Sequence, residues 1–342
     1  MSISWDRIEH IEKYGQTQPD LEKIDGELAE GRRILIQFQD LTYSDAALVS
    51  INELCRKYGP NIGIRFYTAF TSAFDYGTLL KIPAVQCLTI SSSSAENFHV
   101  LGQLQHLERL DLSLFELKDT GFLSMKNLHG LIELRLDDSK TKALDLVHLK
   151  NFHRLKYLTL SGHGKNIAVV EHLTTLEHLC LRSINQVSVE FINRLVNLRS
   201  LFLLLGAKAD IREIGDNNIQ RLIIDRVRGF NNLDNISHFK NLQDLAIEDL
   251  AQLESIDFPQ TLPYLAKIKI SNCKSLSRLT GLDNLPTLTD LLLYKTAIDF
   301  DSFIRQTLPT RLKNFPFATS RVKTDEDIKK RLIAKGYQQI SW

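Results

Sequence analysis

The chain has 342 residues, 43% hydrophobic and 24% charged, with a formal net charge of +1. That balance is ordinary for a soluble folded protein and supplies no overall field to draw in nucleic acid or an anionic membrane. No block of about five like charges and no apolar run of about 18 residues occurs, which argues against a polyanion-binding tail and a transmembrane helix.

The first residues, Met1 to His10, lack the apolar core of a signal peptide, so a cytoplasmic location is expected. Trp5, Ile8 and Ile11 fall on one helical face and predict a short helix over residues 5–14, with Gly15 as its stop. Arg33 to Phe38 reads as a strand. Ser44 is placed to cap a helix running to about Tyr58, with Leu48, Ile51, Leu54 and Cys55 as its stripe and Gly59-Pro60 as its end. Asn61 to Tyr67 reads as a second strand, Ala69 to Leu80 as a helix, and residues 85–91 as a third strand.

From there a single pattern takes over. Leu107-x-x-Leu110-x-Leu112 returns as Leu131–Leu134–Leu136, Leu155–Leu158–Leu160, Leu176–Leu179–Leu181 and Leu198–Leu201–Leu203. It continues as Ile219–Leu222–Ile224, Leu242–Leu245–Ile247, Leu265–Ile268–Ile270 and Leu288–Leu291–Leu293, with weaker copies at Val85–Leu88–Ile90 and Leu312–Phe315–Phe317. The copies begin at positions 85, 107, 131, 155, 176, 198, 219, 242, 265, 288 and 312. A fixed period of this length marks stacked repeats, each burying its aliphatic residues only between two neighbours. Terminal units then need covers. Thr324 to Asp327 resembles a capping box opening a helix through Ile328, Leu332 and Ile333, closed by Gly336. Tyr337, Ile340 and Trp342 are expected to pack back on the last coil.

With these motifs the chain resembles the leucine-rich repeat superfamily, in the short repeats of internalin-like proteins. Leu104-x-x-Leu107-x-x-Leu110-x-Leu112-x-x-Phe115-x-Leu117 and the run from Ile268 to Leu288 carry the likeness. The resemblance implies an α/β leucine-rich repeat solenoid, with a curved parallel sheet on the concave side and short helical or irregular segments on the convex side. It divides the chain into a helix-bearing cap with degenerate repeats over residues 1–82, regular repeats over 83–318, and a capping helix with a tail over 319–342. One departure stands out. Where the family places Asn or Cys after the third apolar position, only Cys273 matches, and the other copies carry residues such as Phe115, Ser139, His163, Ile184, Leu250 or Thr296. Irregular turns are therefore expected.

Chemistry is sparse. Gly162-His-Gly164-Lys165 lacks both the dinucleotide fingerprint and the P-loop pattern and reads as a turn. His148 and His153, and His172 and His178, miss the spacing that would pair ligands on a helix. Cys55, Cys87, Cys180 and Cys273 are far apart and read as thiols in a reducing compartment. The sequon Asn235-Ile-Ser237 reads as chance. No catalytic residue, cofactor or metal is expected.

What remains is a surface. Side chains alternate along a strand, so with the leucines inward their neighbours form an exposed ribbon. That ribbon holds Arg109, Asp111, Glu133, Arg135, Tyr157, His178, Cys180 and Arg182, then Phe202, Leu204, Arg221, Ile223, Asp225, Asp244 and Glu248, then Lys267, Lys269, Leu292 and Tyr294. Asp225, Asp244 and Glu248 form an acidic zone beside Lys267 and Lys269. Phe202, Leu204, Ile223, Leu292 and Tyr294 are apolar where water is expected. Phe202, Ile223, Arg182, Arg221 and Tyr157 are the expected centre of a contact patch, since aromatic and Arg residues dominate interfaces. The competing structural reading has a loop of this chain covering Phe202 and Leu204, or a strand shifted by one residue. The expected function is non-catalytic recognition of a protein partner through the concave face by a monomer, with no nucleic acid and no membrane. A sharper form is an immunity-type inhibitor of a cognate toxin. The alternatives are an enzyme subunit or a secreted adhesion protein of the leucine-rich repeat class.

Overall fold

The computed structural model describes residues 4–11, 18–40, 43–68, 72–137, 139–140, 144–319 and 321–340. It divides into two compact units, Met1–Leu176 and Glu177–Trp342. The expected stop at Gly15 and the packing of Trp342 lie outside the described residues.

In the first unit the elements are β1 (Arg7–Ile11), α1 (Leu21–Ala29), β2 (Ile34–Gln39), α2 (Asp45–Tyr58), β3 (Ile62–Tyr67), β4 (Ala73–Asp75), β5 (Cys87–Glu96), β6 (Arg109–Glu116), β7 (Glu133–Leu136) and β8 (Tyr157–Ser161). The strands are parallel in the order β1-β2-β3-β5-β6-β7-β8, and β4 pairs with the far half of β5. Turns of 3-10 helix, among them Phe98–Gln103, Leu146–Asn151 and Ile167–His172, lie between successive strands. Ser44 caps α2 as expected, its hydroxyl accepting from Ala47 N–H.

Two expectations fail here. Residues 7–11 are a strand and not part of a helix. In register with β2, Arg7, Glu9 and Ile11 stand on the core side with Ile34, Ile36 and Phe38, and Ile8 faces outward. Arg7 pairs with Glu9 and, at 2.7 Å, with Glu27 of α1, so an ion-paired cluster sits where a periodicity reading expects apolar residues. Residues 73–75 are likewise a strand, followed by a 3-10 turn at Tyr76–Lys81; the expected helix from Ala69 is not formed over its described part. The helix α1 has only Ile24 and Leu28 buried, too thin a stripe for the sequence to announce.

The core of this unit is a stack of aliphatic residues bordered by a file of rings. Phe38, Phe66, Phe74, Tyr76, Phe98 and Phe122 follow one another with successive centroids 4.8 to 5.5 Å apart. Each such pair adds about 0.5–1.5 kcal/mol beyond the area it buries. His163 is 1% exposed and holds two repeats together: its Nδ1 accepts from Leu144 N–H, and its Nε2 lies 2.9 Å from Asp137 O.

In the second unit the elements are β9 (His178–Arg182), β10 (Ser200–Leu204), β11 (Arg221–Asp225), β12 (Asp244–Glu248), β13 (Ser255–Asp257), β14 (Lys267–Ser271), β15 (Arg278–Thr280), β16 (Asp290–Tyr294), α3 (Phe300–Phe303), β17 (Phe317–Ala318) and α4 (Val322–Ala334). The order β9-β10-β11-β12-β14-β16-β17 is parallel throughout, and β13 and β15 form a separate two-stranded ladder. The helix α4 begins two residues before Thr324, with Arg321 at its N-cap. The expected capping box is replaced by the Asp325 carboxylate, which accepts from Thr319 N–H and Oγ1–H at 2.6 and 2.7 Å. Tyr337 does pack back, edge-on to Phe315, but Ile340 stays exposed, contrary to expectation.

The turns leaving these strands are regular, contrary to expectation. Ser183, Leu205, Arg226, Asp249, Asn272 and Lys295 each take positive φ between 51° and 61° directly after their strand. Each donates its N–H to a carbonyl at the end of the next strand, at 2.8 to 3.0 Å. Backbone therefore makes these turns alike, whatever side chain stands in the slot. Side chains act elsewhere in the coil: Asn235, buried at 7%, donates to Ile211 O and Ile214 O, and Asn284 donates to Phe258 O.

Gly281 is held where no side chain fits. Its φ is +72°, and a Cβ there would stand 2.3 Å from Phe258 O in the neighbouring coil. Gly281→Ala is expected to lower unfolding free energy by at least about 2 kcal/mol. Gly229→Ala, with similar φ but nothing near its added carbon, should cost less. Urea denaturation of the two variants checks the order.

Candidate recognition surface

Parallel pairing in register lines up every second side chain into rows, and each unit has its own rows. In the first unit one row is Leu35, Gly63, Cys87, Arg109, Glu133 and Tyr157, and the next is Gln37, Arg65, Thr89, Asp111, Arg135 and Thr159. Arg109, Arg135 and Tyr157 thus share one open face, as the alternation predicts. The charges on it are knitted together. Glu133, 7% exposed, accepts from Arg109 Nη1 at 2.9 Å and from Arg135 Nε at 3.2 Å. Arg65 Nη1 donates to Gln37 Oε1, and Gln37 Nε2 meets His10 Nδ1, both at 3.1 Å.

Trp5 closes part of this face. Its ring lies so near Gly63 that a Cβ there would come within 2.5 Å. The missing side chain at Gly63 is what lets the ring settle onto the sheet. Beside it is a depression of about 170 Å³ lined by Trp5, Leu35, Thr89, Arg109, Asp111, Glu133 and Arg135, among others. Burial pushes the Asp111 carboxyl up to about 6; Asp137 and Glu133 push the same way, while Arg135 and Arg65 oppose. From sequence, Trp5 reads only as part of a helical face. Asp111 stood in the ribbon, but nothing in the repeat indicated that a tryptophan some hundred positions earlier would shelter it.

In the second unit there are three rows. The first is His178, Ser200, Arg221, Asp244, Lys267 and Asp290; the second Cys180, Phe202, Ile223, Ala246, Lys269 and Leu292; the third Arg182, Leu204, Asp225, Glu248, Ser271 and Tyr294. All of the unit's residues expected on the surface stand in these rows. The acidic zone is not a bare one. Asp244 pairs with Arg221 at 3.3 Å, Glu248 with Lys269 at 2.8 Å, and Asp225 with Arg226 at 2.8 Å. Of the apolar set, Phe202, Leu204 and Ile223 are half-buried and Tyr294 is exposed, but Leu292 is buried at 8% and leaves the set. Phe202 and Ile223 are register partners, Leu204 lies one row over, and Arg182 is exposed at its side.

The buried thiols are poor nucleophiles. Burial pushes Cys55 and Cys87 up to about 12 and Cys273 up to about 11. Cys273 sits in the slot expected of it, its Sγ 3.5 Å from Ser271 O. Among the described residues, no group of three or more His, Cys, Asp or Glu is placed to hold a metal ion, and no helix is long and apolar enough to cross a membrane.

No protein-family model and no curated protein sequence matches the chain. Solved structures do. An internalin, inlF, from Listeria monocytogenes strain 4b F2365 superposes with a TM-score of 0.52 at 16% identity, over 84% of this chain and 81% of that one. The mouse RP105/MD-1 complex gives 0.45 at 17% identity, over 84% and 47%, and the LRIM1/APL1C complex 0.45 at 16%, over 75% and 52%. The likeness rests on the first of these and is one of fold: the chain forms a leucine-rich repeat solenoid.

Asp111 links this face to stability. Below the ordinary carboxylate range both folded and unfolded chains carry the proton and nothing is lost. As pH rises toward 6 the unfolded chain releases its proton first, so stability falls and stays lower above that point. Asp111→Asn is expected to raise unfolding free energy by about 1–3 kcal/mol near pH ~7.5, with a clearly smaller gain near pH ~4.5. Denaturant titration at the two pH values reads both.

Proposed function

We propose that this chain is a non-catalytic protein-binding module and that the open face of the sheet in its second unit engages a protein partner. The observation that carries this is the cluster Phe202, Leu204 and Ile223, three large apolar side chains left only half-buried on the open face of a parallel sheet and flanked by Arg182 and Arg221. Fully burying one such side chain contributes roughly 1.5–3 kcal/mol. The fold holds these side chains in place before binding, so little ordering entropy opposes association.

The neighbouring ion pairs support specificity more than affinity. Arg221 with Asp244 and Lys269 with Glu248 present alternating charge to an incoming surface, which suits one partner geometry and opposes uniform polyanions. A uniformly basic groove with stacking aromatics, as single-stranded nucleic acid requires, is not what these rows present. Within this reading the sharper form is an inhibitor that covers the active site of a cognate toxin. It requires that an enzyme captured by the chain lose activity when the chain is added.

Phe202→Asp is expected to weaken partner binding by at least about 100-fold while shifting the thermal midpoint little, because the side chain is not in the core. Leu203→Asp, which places charge in the core, should instead unfold the unit. Partners captured from native lysate by the immobilised chain, then titrated against both variants, give the comparison. Unchanged binding by Phe202→Asp with lost stability would reject the patch.

A further inference from the structure

Beside Trp5 the first unit holds a depression whose charges cancel. The guanidiniums of Arg109, Arg135 and Arg65 stand in it or act on it, and so do the carboxylates of Glu133, Asp111 and Asp137. Glu133 bonds both Arg109 and Arg135 directly, and Arg65 Nη1 is taken up by Gln37. An incoming cation would meet the guanidiniums, and an incoming anion the carboxylates. What is left over is hydrogen-bonding capacity rather than charge. Arg109 Nε is buried with no acceptor among the described residues. Among the same residues no hydrogen bond ends on the Asp111 carboxylate; Arg135 and Arg65 act on it through charge alone. Arg65, Thr89 and Asp111 are successive register partners in one row, so the Thr89 hydroxyl is carried between the other two. A donor, an acceptor and a group that can be either thus share one small space with an apolar wall of Trp5 and Leu35.

We infer that this depression is a binding site for one neutral pyranose ring, a sugar unit without a charged substituent. Such a ring is apolar across its C–H face and carries hydroxyls around its rim, and each hydroxyl both donates and accepts. The C–H face would lie against Trp5 and Leu35, gaining dispersion contacts. Rim hydroxyls would accept from Arg109 Nε, donate to Asp111 and pair with Thr89. The bonds that Glu133 makes hold the two guanidiniums in place before a ligand arrives, so little ordering opposes binding. A neutral side-chain amide has no ring face to cover the indole and no hydroxyl rim, so it fits less of the site. At about 170 Å³ the space is smaller than the roughly 300–1,000 Å³ of sites for drug-sized ligands, which suits one ring rather than a run of them. The assignment goes beyond the protein-binding reading, which concerns the Phe202 cluster on the other unit.

The test uses the full chain and small sugars, so no protein partner enters and the outcome is separate from capture by the Phe202 cluster. The chain has two tryptophans, and in a Trp342→Phe background Trp5 is the sole indole reporter. At least one of the methyl glycosides of glucose, galactose and mannose is expected to change its fluorescence saturably in the millimolar range. The amino sugar and the uronic acid of that same ring, which add a positive or a negative charge, are expected to bind at least ten-fold more weakly. Thr89→Val and Asp111→Ala, each checked for fold by circular dichroism, are expected to lose at least ten-fold of the affinity, while Lys240→Ala on the second unit keeps it. The glycosides are read on the unaltered site, so they decide even where a variant fails to fold. The same sugar conjugated to albumin separates the two sources of this ligand: binding of the conjugate assigns the site to a glycan on a macromolecule, and binding of the glycoside alone assigns it to free sugar. No saturable response to any of the three glycosides would overturn the inference. So would a charged derivative or N-acetyl-glutamine amide binding as tightly as the neutral sugar, or full affinity in folded Thr89→Val or Asp111→Ala.

Discussion

A leucine at the middle of one of these strands is buried only if the next coil stacks over it. That constraint underlies the rest of the structure. No single repeat has two faces with which to enclose its own aliphatic residues, so stability lives between coils rather than within them. Leu110, Leu134 and Leu158 in the first unit, and Leu222, Leu245 and Ile268 in the second, are all 2% exposed or less because each is covered on both sides. Stacking fixes the strand register, and register in turn fixes which side chains remain outside. The open rows are therefore a by-product of core burial that the protein can use without building a separate site.

Backbone polar groups face the same requirement. The turns that leave β9, β10, β11, β12, β14 and β16 each hand an N–H to the next coil through a residue at positive φ, even where that residue is Leu205 or Lys295 and pays for the conformation. Asn235, Asn284 and His163 satisfy carbonyls or N–H groups at other points of the coil. Since buried main-chain groups must be paired, a chain lacking the expected side chain in one slot meets the need by other means. This is why the turns come out regular despite the sequence departure.

The spacing of the leucines made the repeats, the parallel sheet and the outward rows legible, because a period of that kind has few physical solutions. Equal phase between strands even implies that Arg221 stands opposite Asp244, so the neutralised acidic zone was open to inference from register. Other features left little trace. The strand Arg7–Ile11 carries apolar residues at helical spacing, while its buried side holds Arg7 and Glu9, whose burial depends on Glu27 some twenty residues later. The depression beside Trp5 depends on what is absent at Gly63, and one glycine carries no signal of the ring that replaces its side chain. Leu292 looked outward by alternation and is nonetheless buried.

The account stands on alternation within a fixed register, and thiol proximity measures this directly. Cys180 and residue 202 are register partners on the open face, whereas Leu203 points into the core. With a short bifunctional thiol reagent such as dibromobimane, Phe202→Cys is predicted to crosslink to Cys180 rapidly in the folded chain, and Leu203→Cys is predicted not to. Crosslinking of Leu203→Cys in preference to Phe202→Cys would place the opposite set of side chains on the surface and contradict the account.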